Sequence, residues 1–379
     1  HVVLDPSERA EIILQEIKNQ AFAQGLELIN DFSLLNEVVG LVEWPVVLLG
    51  KLEDEFLSLP AEVLQTSMRE HQKFFSIRNP KDNKVVQFAT VANQETPDGG
   101  STILAGNQKV LSARLSDAKF FWDNDLRTIK TNGLDIWLEK LKKVTFHNKL
   151  GSQFERVERI SNLSEEIAKK IGCDPKLAKD AAYISKADLS SEMVYEFPEL
   201  QGIMGTYYAK KVGYAASIAD ACKDHYAPLG PNDEVPNSSI SIVVALADKI
   251  DTLTNFWAIE EKPTGSKDPF ALRRSALGMI RIIIENDIRI SLSDILALGS
   301  KKADIEDLKE FIYQRMKVFL REKELRHDII DACLSIDKED DLALSVKKSS
   351  ALMEFIKTSD GSNLIQGFKR ANNILLQAE

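Results

Sequence analysis

Apolar residues recur at helical spacing from the start of the chain. In "DPSERAEIILQEIKNQAFAQG", Ile12, Ile13, Ile17 and Phe22 mark one face, Asp5-Pro6 supplies an opening and Gly25 a stop, which predicts an amphipathic helix. Pro60 opens a second, short helix. The period then changes: "KFFSIRN" and "KVVQFATVAN", joined by the turn "NPKDNK", predict a β-hairpin. Helical spacing returns in "TILAGNQKVLSARLSDAKFFWDNDL", so residues 1–130 form an α+β region. From Leu134 onward no strand pattern stands out. "FERVERISNLSEEIAKKIG", "PKLAKDAAYISKADLSSEMVYEF", "YAASIADACKDHY", "ISIVVALADKIDTLTNFW" and "FALRRSALGMIRIIIEN" all keep the helical period, with the turn cluster "APLGPNDEVPNSS" between two of them. Residues 131–292 are thus expected to be all-helical. After Ser293 the helices become more charged, and 293–379 forms a third region. The expected fold class is α+β, predominantly α-helical, without a fixed-period repeat.

A length of 379 residues suits two or three domains. Hydrophobic content of 44% and charged content of 28% are those of an ordinary globular chain. No apolar run approaches the ~20 residues of a membrane span. The opening "HVVLDPSERAEII" lacks the pattern of a signal or transit peptide, so a cytoplasmic protein without a membrane partner is expected. Cys173, Cys222 and Cys333 are scattered, which fits reduced thiols rather than a disulfide framework or zinc ribbon. A formal charge of −10 gives no global attraction to nucleic acid, so any such contact must come from a local basic face.

The stretch "KPTGSKDPFALRRSALGMIRI" combines a turn-rich loop with arginines in an apolar helix. Asp268 can cap free N–H groups and Pro269 suits a first helical position, with the helix expected to run to about Glu285. Arg273 shares a face with Leu277, Ile280 and Ile284, whereas Arg274 and Arg281 share another, with Gly278 leaving room between them. An arginine on an apolar face needs an anion. Two readings are open. Arg273 pairs inward with Asp248 or Asp251, which lie at i and i+3 in "LADKIDTL"; or Lys267 and the arginines hold a phosphate or nucleic-acid backbone.

The helical second region is similar to metal-dependent phosphohydrolases of the HD type, in which histidines and aspartates from separate helices hold metals that activate water. His147, Asp188, His225 and Asp248 occur in the corresponding order, but Ala187 stands where the paired histidine belongs. A methyl group cannot replace an imidazole ligand, so these four are expected to cluster without holding a tight catalytic metal. The literal pair His327-Asp328 lies in a charged helix and is expected at the surface. Arg69, His71 and Lys73 precede Phe74 and Phe75; such interleaving can stack on bases, although aromatics in this setting also serve as core. No Walker loop, dinucleotide turn, serine elbow or HExxH motif is present.

Taken in order, "LVEWPVVLLG", "FLSLPAEVLQTSMREHQKFF", "ARLSDAKFFWDND", "VTFHNKLGS", "KADLSSEMVYEFPELQGIMGTYYA", "LADKIDTL" and "PTGSKDPFALRRSALG" closely resemble the β subunit of bacterial-type heterotetrameric glycyl-tRNA synthetase, from about Leu34 to Glu285. The resemblance implies a tRNA-binding, non-catalytic subunit, required with an α subunit for ATP-dependent attachment of glycine to tRNA(Gly). The α subunit then carries the glycine and ATP site, with ATP and Mg²⁺ used by the holoenzyme and no cofactor bound tightly by this chain. It also implies a fragment: part of a module like the B3/B4 domain of phenylalanyl-tRNA synthetase, an HD-like domain, and in "GFKRANNIL" the start of an anticodon-binding domain. Arg69, His71, Lys73, Lys267, Arg273, Arg274 and Arg281 become candidates for RNA or subunit contact. The alternative is an active metal-dependent HD-type phosphohydrolase acting on nucleotides or RNA ends.

Overall fold

The structure, a computed structural model, describes residues 2–323, 325–336 and 340–378. The chain forms two compact units. The first comprises His1–Gly133 together with Leu189–Met204; the second comprises Leu134–Asp188 and Gly205–Glu379. Residues 293–379 therefore belong with the helical second unit instead of standing apart, and 189–204 leave it for the first.

The first unit is built on a four-stranded antiparallel sheet. Its strands are β1 (Glu27–Leu28), β2 (Val46–Lys51), β3 (Phe75–Arg78) and β4 (Val85–Ala92), in the order β1-β3-β4-β2. The expected hairpin is β3–β4. On one face lies the amphipathic helix Pro6–Phe22, started by the Asp5 carboxylate accepting from the Ser7 N–H at 2.8 Å. It buries Ile13, Ile17 and Ala21 against Leu34, Val38, Phe75 and Ile77. Gly50 of β2 sits opposite Phe88 of β4, and a Cβ there would run into the Phe88 ring. A helix of 32 residues, Ser101–Asn132, completes the unit. Its buried Asp125 accepts hydrogen bonds from the Glu192 and Met193 N–H groups, both at 3.0 Å, and so fixes the start of the short helix Glu192–Glu196 in the returning segment.

The second unit surrounds the helix Ser239–Ala258, in which Ile240 to Thr254 are all buried. A helix buried on every side must be covered on every side; Gln153–Ile171, Pro175–Ile184, Leu272–Glu285 and Ile305–Glu322 do so. Local sequence sets their ends. Ser152 and Glu155 form a reciprocal capping box, and Asp174 caps a helix whose first residue is Pro175. Strand is present beyond Leu134 after all: β5 (Thr145–His147) pairs with β6 (Gly151–Ser152). These strands are too short for a two-residue period to show. "YAASIADACKDHY" likewise divides into the two short helices Ala216–Ala219 and Ala221–Asp224.

Candidate functional site

The centre of the second unit contains a buried charged cluster assembled from four segments. Lys186, just past the C-terminus of Pro175–Ile184, is only 2% exposed. Its ammonium lies 2.9 Å from His225 Nε2 and 2.9 Å from Asp248 Oδ1, above the Tyr226 ring. His225 Nδ1 donates to the Ala221 carbonyl at 2.9 Å, so Nε2 is the acceptor of the lysine proton. Asp248 also accepts from Arg156 at 3.0 Å, while Arg159 grips Asp251 through Nε at 2.7 Å and a second N–H at 3.3 Å. Lys249 turns the other way and donates to the His225 and Ala227 carbonyls at 3.2 and 2.8 Å. Gly278 lets it pass: a Cβ there would come within 2.6 Å of Lys249 Cε.

Electrostatics fix the protonation of this cluster. Burial raises the Asp248 carboxyl, but Arg156 and Lys186 outweigh it and hold the group well below the usual carboxylate range. Burial, with the Lys186 charge beside it, pushes His225 well below the ordinary histidine value, so the ring is neutral. Burial also lowers Lys249 to about 8 from 10.5. Both bases favour the fold when deprotonated. Acidification below about pH 6.5, where a free histidine gains a proton, therefore loads the unfolded chain first and costs stability. Between about pH 8 and 10.5 the folded chain releases the Lys249 proton while the unfolded chain keeps it, so the contribution of this group to stability rises there. Each group contributes a slope of up to about 1.4 kcal/mol per pH unit in its window. Urea midpoints should rise with pH through the histidine window, and between pH 8 and 10 the wild-type profile should slope more towards alkali than that of Lys249→Met, which keeps the opposing contribution of the buried Cys222 thiol; equal slopes in the two proteins contradict this assignment.

Of the four residues in HD-like order, Asp188, His225 and Asp248 lie around Lys186. Asp188 acts on the lysine charge and on the Tyr226 hydroxyl through space, and its Oδ2 accepts from the Gly205 N–H at 2.9 Å. No hydrogen bond or ion pair links His147 to them among the described residues. It packs edge-on against Phe256 and Phe270, each at 5.5 Å, and Phe256 lies two turns, about 12 Å, along its helix from Asp248. The donor set does not fit a divalent metal. The His225 lone pair and Asp248 Oδ1 already hold the Lys186 ammonium, which puts a positive charge where a metal would sit, and Ala187 offers nothing. Among the described residues, no group of three or more His, Cys, Asp or Glu side chains could hold a metal ion. Asp328 forms a surface pair with Arg326 at 2.6 Å, and the side chain of His327 lies outside the described residues.

In the basic-aromatic stretch of the first unit the basic residues form partly exposed pairs and the aromatics are buried. Arg69 pairs with Asp31 at 3.3 Å and Lys73 with Glu37 at 2.9 Å, while His71 Nε2 meets Arg114 at 2.9 Å. Phe74 and Phe75 are core, Phe74 stacking on Phe88, and cannot receive a base.

The arginine-bearing helix runs over Leu272–Glu285. Asp268 caps it as expected, accepting from the Leu272 and Arg273 N–H groups at 2.9 and 3.0 Å; Pro269 lies before the helix instead of opening it. Arg273 is not paired with Asp248 or Asp251, which are taken by Arg156 and Arg159. It is half-buried and donates to the Gly265 carbonyl at 2.6 Å. The buried stripe is Leu272, Ala276, Met279, Ile280 and Ile283, one position round from Arg273. Arg281 is the inward arginine: it binds Glu285 at 2.9 Å and the carbonyls of Gly230 and Asp233 at 2.9 and 2.6 Å, clamping a loop. Lys267 is exposed in the turn closed by its reciprocal bonds with Thr264. Arg273 and Arg274 line a half-open cavity of about 260 Å³, joined there by Arg315 from Ile305–Glu322. Lys186, Lys249, Arg156, Arg159 and Arg315 went unmarked in the sequence. A signal existed for two of them, since Arg156 and Arg159 repeat the i, i+3 spacing of Asp248 and Asp251.

A family model described as glycyl-tRNA synthetase beta subunit matches residues 1–335. The chain is 62% identical to the glycine–tRNA ligase beta subunit of Ruegeria sp. (strain TM1040) over 379 residues, covering 100% of this chain and 55% of that protein. It is 51% identical to the protein of the same name from Phenylobacterium zucineum (strain HLK1), covering 100% of this chain and 55% of the relative. For Rhodospirillum centenum (strain ATCC 51521 / SW) the figures are 49% identity, 99% and 53%. The chain thus spans about half the length of the curated relatives it matches.

Proposed function

The chain belongs to the glycyl-tRNA synthetase β-subunit family, and from that premise we propose that it is a tRNA-binding part of a β subunit that assists an α subunit in attaching glycine to tRNA(Gly), without carrying the aminoacylation site. The observation that carries the reading is the match across the entire chain to relatives named as glycine–tRNA ligase beta subunits. Two features of the molecule support it. A lysine ammonium fills the position around which an HD-type site would bind metal, which suits a helical scaffold better than a hydrolase. Arginines also collect in one cavity of a chain whose formal charge is −10, which suits a local contact with a polyanion. In this reading the first unit corresponds to part of a B3/B4-type module and the second to an HD-like domain, in a cytoplasmic heterotetramer that uses ATP and Mg²⁺ through α.

The test is aminoacylation of tRNA(Gly) by α alone, by α with full-length β, and by α with this chain. Full-length β should restore charging that α alone lacks. A β-independent α would remove the proposed role. The chain freed of α is expected to support no glycine-dependent pyrophosphate exchange, and exchange by such a preparation would place an adenylate site where none is proposed. Phosphate release from phosphoesters with Mn²⁺ would instead favour the hydrolase alternative.

A further inference from the structure

We propose that the cavity between Leu272–Glu285 and Ile305–Glu322 is a pocket for a single nucleotide, its phosphate held by Arg273, Arg274 and Arg315 and its base laid against Leu277, Val318 and Phe319. The inference deepens the tRNA-binding reading and rests on it only for the source of the nucleotide.

Charge, unused donors and shape lead to it separately. Glu322 is the acid on the wall, against Arg273, Arg274 and Arg315; Arg281 is already committed to Glu285 and two carbonyls. Arg274 is exposed, and no ion pair or hydrogen bond holds its guanidinium among the described residues. Arg315 also lines the cavity, and no ion pair or hydrogen bond holds its guanidinium among the described residues. Guanidinium groups bind phosphate oxygens in pairs, so a phosphate is the anion these donors suit. Beside the arginines the same two helices present Leu277, Val318 and Phe319, with Pro228 from a loop, and these supply nothing for a bare anion. A planar base covers such a surface, and arginine planes stack on bases as well. About 260 Å³ is room for one nucleotide and not for a helix.

The chain is titrated with adenosine 5′-monophosphate, adenosine and inorganic phosphate, and separately with tRNA(Gly), for wild type, Arg274→Ala, Arg315→Ala and Val318→Trp. Val318 is 43% exposed, so the tryptophan fills the cavity mouth without crowding the core; an unchanged thermal midpoint checks each variant. Lys301→Ala, exposed before the other end of Ile305–Glu322 and outside the cavity lining, is the control. The nucleotide should bind more tightly than phosphate or adenosine, and each of the three variants should weaken it about tenfold. Arg274→Ala should also flatten the logarithmic salt dependence of tRNA binding by about one unit. Free nucleotide silent but tRNA weakened by all three variants supports the pocket with RNA as its source. Nucleotide bound with tRNA affinity unchanged supports it with a free nucleotide as the source. Wild type that binds nucleotide but no tRNA leaves the pocket standing and removes the tRNA reading. Phosphate bound as tightly as the nucleotide, or all variants equal to wild type with both ligands, overturns the proposal.

Discussion

Lys186→Ala is expected to lower the unfolding free energy by about 3–5 kcal/mol, the usual consequence of removing one member of a buried ionic set. The lysine is held between a neutral imidazole and a carboxylate, and nothing else in the described structure donates to His225 Nε2. Without it the ring nitrogen is an unsatisfied buried acceptor, and Asp248 relies on Arg156 alone. Lys186→Met separates charge from packing, since methionine restores most of the volume. If the ammonium matters, Met should remain close to Ala in urea denaturation at pH 7.5. Recovery of most of the loss by Met would make Lys186 a space filler and sink the electrostatic account.

Asp251→Ala should cost about 3 kcal/mol or more, also through a stranded partner. Asp251 is 2% exposed and holds both nitrogens of the Arg159 fork, with Arg156 a further 3.8 Å contact. Arg159 is partly solvated and can recover some hydration, which keeps the expected loss towards the lower end. A double-mutant cycle with Arg159→Ala should return a coupling of roughly 1–3 kcal/mol. Additive losses would show that the bidentate geometry contributes little.

Features written in neighbouring residues were legible. The Asp5-Pro6 start, the β3–β4 hairpin, the Asp268 cap and the end of its helix at Glu285 depend on contacts within a few positions, and a helical excess with a small antiparallel sheet followed from them. What failed was the choice of partner. The spacing of Asp248 and Asp251 calls for an arginine, and Arg273 is the near candidate in one of the two readings. The ones that arrive, Arg156 and Arg159, come from more than ninety positions earlier, where spacing alone cannot rank them. In sequence Ala187 marks the loss of a ligand, while the compensating cation is its neighbour Lys186. His147 fits the HD-like order but is spent on Phe256 and Phe270, because order along a chain does not fix direction in space. Phe74 and Phe75 became core for the same reason: the sheet they enter buries both.

The hydrogen bond from the Gly205 N–H to Asp188 joins the two ends of the segment that the second unit lends to the first. It makes the excursion a closed loop with a latch at its neck, and the latch is the aspartate of the HD-like set. Genetic dissection has to respect that closure. A piece ending at residue 133 lacks Phe197 and Leu200, which the first unit buries, and leaves Asp125 without the N–H groups it holds. A piece starting at residue 134 keeps the borrowed segment but offers it no bed. The 134–379 half contains every residue of the second unit but the 1–133 half lacks part of the first, so a boundary meant to separate the units has to leave 189–204 with 1–133.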